Sequence, residues 1–135
     1  MRIAESVQKI LSQKEPVVDR FYELFFNRHH GARNYFAGVD MRRQAILLTM
    51  ALITVESHYS YSYPATEHYL KVLGSRHHEM GVRPELYPMF RDCLIEAIHD
   101  FHGDDWNEDL AVQWREAIKK ATATMLEGYE RDYIY

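Results

Sequence analysis

Apolar residues recur at helical spacing along almost the whole chain, and no two segments read as a strand pair. That periodicity predicts six or seven helices and an all-α fold class. A short helix from about Ile3 to Ser12 carries Val7, Ile10 and Leu11 on one side. Pro16 opens a second, in which Val17, Val18, Phe21, Leu24 and Phe25 face inward and Tyr22 lies beside them. His29-His30-Gly31 breaks that helix, and the residues from Tyr35 to Asp40 read as a corner. Asp40 is placed to cap a helix from Met41 to roughly Ser57. This third helix is apolar around most of its circumference, which predicts a place in the middle of the molecule.

Tyr59-Ser60-Tyr61-Ser62-Tyr63-Pro64 alternates like a strand, but it is isolated between helical segments and is expected to be a loop. A long helix from about Pro84 to His102 carries Phe90, Leu94, Ala97, Ile98 and Phe101 as its stripe. Cys93 lies next to that stripe as a small core residue. Asp105-x-x-Glu108 has capping-box spacing before the last helix, whose inner face is Trp114, Ala117, Ile118, Ala121, Met125 and Leu126. No repeat, linker or low-complexity segment divides the chain. Its 135 residues are expected to form one domain with one sizeable core.

Sixteen basic residues against twenty acidic ones leave a net charge of −4, which argues against nucleic-acid or anionic-membrane partners. One cysteine allows no internal disulfide and suits a reducing compartment. The start, Met1 to Ser6, has no apolar targeting core. The longest apolar run, Ala45 to Val55, is interrupted by Thr49 and Thr54 and is too short to span a bilayer. A cytoplasmic protein is expected.

The stretch from Gly74 to Pro88 holds the strongest chemical signal. On a helix, His77 shares a face with Leu70, Leu73 and Met80, whereas His78 lies about 100° round, beside Lys71 and Ser75. His77 should therefore point inward and His78 toward water. Gly81 suits the left-handed residue that stops a helix, and Pro84 is placed to open the next. A histidine so placed suits an axial metal ligand, and equally a core histidine bonded to a backbone carbonyl.

At this point the residues resemble the globin family, in particular single-domain bacterial globins and the haem domains of flavohaemoglobins. Phe21-Tyr22, Tyr35-Phe36, Asp40-Met41-x-x-Gln44-x-x-x-Leu48 and Arg76-His77-x-x-x-Gly81-Val82-x-Pro84-x-x-Tyr87-Pro88 occur in the family's order, with Trp114 completing the set. The resemblance runs from about Val17 to Tyr129. It implies a globin fold of six to seven helices around a pocket for haem b (iron protoporphyrin IX). It makes His77 the iron ligand, with its other ring nitrogen fixing tautomer and rotation. It places Tyr22 and Gln44 on the distal side as the catalytic or gas-binding pair. Phe36 would pack flat on the porphyrin, Leu48 would overhang it one turn beyond Gln44, and Leu73, Arg76, Val82, Tyr87 and Phe90 would line the rest. The partners implied are O2, NO and CO, as an oxygen-binding protein, as a NO dioxygenase with an external reductase, or as a gas sensor. The assembly would be a monomer or a homodimer.

One position departs from the family pattern. Flavohaemoglobins carry a last-helix glutamate that joins a tyrosine around the proximal histidine. Tyr87 matches the tyrosine, but Tyr129 stands where the glutamate is expected, flanked by Glu127 and Glu130. An ordinary, weakly donating proximal histidine is therefore expected. With the chain ending at Tyr135, no flavin or nicotinamide domain is expected. Two other readings remain: a non-haem metal protein built on Glu96-x-x-His99-x-x-His102, and a haem-free regulatory module.

Overall fold

The computed structural model describes residues 1–13 and 16–130. Six α-helices follow one another among the described residues: α1 (Ile3–Leu11), α2 (Pro16–Arg28), α3 (Met41–Tyr61), α4 (Pro64–Glu79), α5 (Leu86–His102) and α6 (Glu108–Glu127). Short 3-10 segments at His30–Phe36 and Gly103–Asp105 link α2 to α3 and α5 to α6. No strand occurs among the described residues. α2 packs against α5, α4 against α6, and α3 across α6.

α6 is the central strut because its apolar stripe is the most complete. Trp114, Ala117, Ile118 and Ala121 are at most 1% exposed. Phe21, Leu52, Leu94, Ile98 and Leu110 close around them. The Trp114 indole nitrogen donates to Ser6 Oγ (3.0 Å), which lies 2.6 Å from His102 Nε2. Gln113 Oε1 accepts from the Ile3 amide (2.9 Å). These bonds satisfy polar groups that burial would otherwise penalise, and they tie α1 to α5 and α6.

The buried apolar residues form two groups. The larger contains Tyr22, Phe21, Leu48 and Leu52, with Phe36, Phe26 and Phe90 packed against it. The smaller contains Leu70, Tyr87, Ala121 and Met125, with Leu73, Val82 and Tyr129 alongside. Val55 touches both.

Several local expectations hold. Asp40 caps α3 by accepting from the Arg42 amide at 3.0 Å, and Gly81 takes φ +80° just beyond α4. Others are corrected. α3 continues through Tyr59 to Tyr61 and ends at Ser62, at φ 52°, so the tyrosine alternation is helix and not loop. His58 is the cause: it is 3% exposed, and its Nε2 lies 3.1 Å from Thr124 Oγ1, holding the last turns of α3 on α6. Nor is α3 surrounded by protein. Ile46, Leu47 and Met50 are 61%, 51% and 54% exposed, whereas Ala45, Leu48 and Leu52 are buried, with Ala51, Ile53 and Val55 packed beside them against the core. Leu11 likewise faces outward. α5 starts at Leu86, two residues after Pro84, since the Leu86 and Tyr87 amides first bond back to Arg83 and Pro84. Asn107 caps α6, accepting from the Leu110 amide at 2.8 Å, while Asp105 pairs with Lys9 instead.

Candidate functional site

His77 sits in the last turn of α4, half-buried, with its Nδ1 3.2 Å from the Tyr87 hydroxyl on α5. Burial pushes its imidazole down from the usual histidine range, so it is neutral at neutral pH. The Tyr87 hydroxyl is 3.2 Å from the Tyr129 hydroxyl, and Tyr129 donates to the Val82 carbonyl at 2.7 Å. Burial raises both phenols above the ordinary tyrosine value. On the approach to the same corner, the Tyr35 hydroxyl donates to the Gly81 carbonyl at 3.1 Å. The helix stop after His77 is thus held by two tyrosines, one from the α2–α3 connection and one following α6.

Close backbone contact makes this possible. A Cβ on Gly74 would fall 1.8 Å from the Met125 carbonyl oxygen, and one on Gly128 would fall 2.1 Å from the Lys71 carbonyl oxygen. α4 and α6 therefore cross with their main chains touching, which brings Tyr129 within reach of Tyr87 and Val82. His78 is exposed as expected, but its ring lies 4.8 Å from that of Tyr129, and Ser75 on its side of the helix is buried. Met80, expected beside His77 on the inner face, is 57% exposed beyond the helix end.

Neither acidic neighbour of Tyr129 joins His77. Glu127 pairs with Lys71 (3.6 Å), and Glu130 is exposed.

On the other side, Tyr22 is 9% exposed in α2 and its hydroxyl lies beside the Gln44 side chain of α3. Burial, partly offset by the neighbouring Gln44 amide, pushes the phenol up to about 12. Tyr22 therefore keeps its proton throughout the physiological range. Phe36 meets the Tyr22 ring edge-on (5.7 Å) and the Phe26 ring at 5.3 Å, and Leu48 is buried one turn beyond Gln44. Phe90 packs on Phe21 (4.9 Å). Leu73 and Val82 are half-buried in the smaller apolar group, and Arg76 is exposed on α4. Tyr22, Phe36, Leu48 and Phe90 thus belong to one group of the core, and Leu73, Val82 and Tyr87 to the other.

The Glu96–His99–His102 series does not assemble. Glu96 is held by Arg28 through two bonds (2.5 and 3.0 Å), His99 stacks on Trp106 (5.1 Å), and His102 turns inward to Ser6. Among the described residues, no three His, Cys, Asp or Glu side chains come together to hold a metal ion. Sequence reasoning named His77, Tyr87, Val82 and Tyr129, but it took Val82 for an apolar lining residue and Tyr129 for a gap. The available signal was a phenol facing Tyr87 in place of a carboxyl group.

The described residues combine helices without strands, a core in two groups, a half-buried histidine beside one group and a buried tyrosine next to a half-buried glutamine beside the other. The globin family model matches residues 19–125, and the chain belongs to the globin family. It is 27% identical to a flavohemoprotein of Bacillus subtilis over 98% of its own length and 33% of that protein's. It is 25% identical to a flavohemoprotein of Rhizobium meliloti, over 96% of this chain and 32% of the other. A globin-like protein of Aquifex aeolicus is 24% identical over 93% of this chain and 88% of its own. The chain therefore spans about one third of the flavohemoproteins it matches and most of the globin-like protein. No described helix is long and apolar enough to cross a membrane.

Proposed function

We propose that residues 1–135 form one globin unit that holds haem b between His77 and the Tyr22–Gln44 pair and binds O2 and other diatomic gases there. The observation that carries this reading is the segregation of the core. Leu73, Val82 and Tyr87 fall in one apolar group, while Tyr22, Phe36 and Leu48 fall in the other. A flat apolar cofactor inserted between them would complete both. The chemistry it supplies is an iron that takes one imidazole nitrogen and leaves a position open to a gas.

The chain's own part is positional. Tyr87 occupies Nδ1 of His77, which leaves Nε2 as the ring nitrogen directed elsewhere. Phe36, Leu48, Leu73, Val82 and Phe90 supply apolar walls that exclude water, and Arg76 stands exposed at the rim. Tyr22 keeps its proton and is a donor to partial negative charge on a bound gas. Gln44, beside the Tyr22 hydroxyl, would orient it.

The test is incorporation of haem by the purified chain and by two neighbours in sequence. His77→Ala should lose the Soret band or recover it only with added imidazole, while His78→Ala should bind haem normally. The reverse pattern would remove His77 as the ligand. A second reading rests on the likeness to flavohemoproteins: oxygen-dependent removal of NO in the cytoplasm, with electrons from a separate reductase. Steady NO consumption by the haem-loaded chain plus a flavin reductase, absent without the reductase, would favour it over reversible oxygen binding.

A further inference from the structure

We propose that the outer groove between α5 and α6 is a binding site for a linear oligophosphate. The groove encloses about 500 Å³, and Arg91, Ile95 and His99 line it from α5. These three recur every fourth residue, so at a rise of about 1.5 Å per residue they span roughly 12 Å of helix. Arg115 and Lys119 line the facing side from α6, again four residues apart. Ile95 packs against the core and gives the groove an apolar floor. The His99 ring is stacked on Trp106 at 5.1 Å, which fixes the direction of its N–H.

The acidic residues around this groove are engaged elsewhere or bind only part of a cation. Both Glu96 oxygens accept from Arg28, at 2.5 and 3.0 Å. Asp92 takes only the Nε of Arg91, at 3.1 Å, which holds the guanidinium and leaves its terminal nitrogens to donate to a ligand. Glu108 stands 3.8 Å from Arg115, beyond hydrogen-bond reach. Glu116, between Arg115 and Lys119 in sequence, accepts from the Tyr59 hydroxyl instead, and Asp100 pairs with Arg20. Lys119 is exposed and makes no ion pair among the described residues. Counting Arg28, four cationic side chains meet two carboxylates here, in a chain whose net charge is −4.

A row of linked anionic groups matches that spacing. Guanidinium groups take phosphoryl oxygens by parallel N–H bonds, and an ammonium adds a point charge. One small anion would engage one end of a row roughly 12 Å long, whereas a chain of phosphoryl groups meets Arg91, Arg115, Lys119 and His99 together.

The test is calorimetric titration of the full-length chain with inorganic tripolyphosphate, free of divalent cations, with amide NMR shifts to locate the binding. It needs no haem, so its outcome is independent of the gas-binding reading. A single equivalent should bind, with shifts concentrated in residues 91–99 and 115–119. Affinity should fall as salt rises from about 0.01 M to about 0.15 M, because the Debye length shortens from about 30 Å to about 8 Å. Arg115→Gln and Lys119→Gln, both at exposed positions, should each weaken binding about tenfold with helix content unchanged. Arg42→Gln removes the same charge from an exposed position on α3 and should bind as the parent does. ATP separates two sources of the phosphate chain. ATP bound at least as tightly assigns the tail of a nucleotide, and ATP bound more weakly assigns the free oligophosphate. No binding at low salt, full binding by Arg115→Gln and Lys119→Gln, or an equal response to Arg42→Gln overturns the site. Equal affinity for sulfate overturns it too, as plain counter-ion attraction.

Discussion

Tyr22 is the single side chain on which gas retention should depend most. Its hydroxyl is buried, stays protonated with a pKa pushed up to about 12, and stands beside Gln44. A hydrogen bond to a charged acceptor contributes about 1.5–3 kcal/mol. Loss of such a bond appears mainly in dissociation. Tyr22→Phe should therefore speed oxygen release on the order of 10- to 100-fold, since each 1.4 kcal/mol is about tenfold. Gln44→Leu should do less, because it removes the orienting partner and not the donor. Carbon monoxide is less polarised when bound, so stopped-flow release of CO should barely change in either variant. Equal effects on both gases would point to altered access.

Among the helices, the α4–α6 crossing sets the site. Gly74→Ala would push a methyl group against the Met125 backbone, which has no rotamer to yield. Overpacking of this kind costs about 1–3 kcal/mol. A lower urea midpoint should be accompanied by loss of the His77–Tyr87–Tyr129 geometry, read as changed ring-nitrogen NMR shifts of His77. An unchanged midpoint would mean that the two helices slide apart freely. α3 offers a contrast between its two faces. Leu52→Ala, at a residue 1% exposed, should cost about 2–5 kcal/mol. Ile46→Lys, at 61% exposure, should stay within about 0.5 kcal/mol. Similar costs in a denaturation series would show that the outer face of α3 is covered in solution.

For the molecule as a whole, two buried histidines couple stability to pH. His58 and His102 are 3% and 5% exposed, each with an Nδ1 that has no partner. Burial lowers both below the ordinary 6.5, helped by Lys120 at His58 and Lys9 at His102, against opposing acidic groups at Glu67, Glu127 and Asp105. The unfolded chain therefore binds more protons than the folded one in the window below 6.5. Their stabilising contribution is complete above that value and is lost as pH falls toward the depressed folded values. Denaturant midpoints should drop between about pH 7 and about pH 5, and His102→Gln should flatten the slope. An identical slope in that variant would assign the acid sensitivity elsewhere.

Helical periodicity determined the all-α class and the inward stripes of α2, α5 and α6, which follow from neighbours three or four residues apart on one helix. The opposite fates of His77 and His78 were legible for the same reason, since adjacent residues differ by about 100°. The stop at Gly81 was legible from glycine's freedom to take a positive φ. The outward turn of Ile46, Leu47 and Met50 was not legible, because periodicity records which residues are apolar and not whether a neighbour arrives to cover them. Only tertiary structure decided that His58 anchors α3 through to Tyr61. It alone decided that Glu127 turns to Lys71, and that Tyr129 reaches across forty-seven residues of sequence to Val82. Those outcomes depend on how closely α3 and α4 approach α6. At α4 that distance is set where Gly74 and Gly128 let two backbones touch, and no local pattern encodes it.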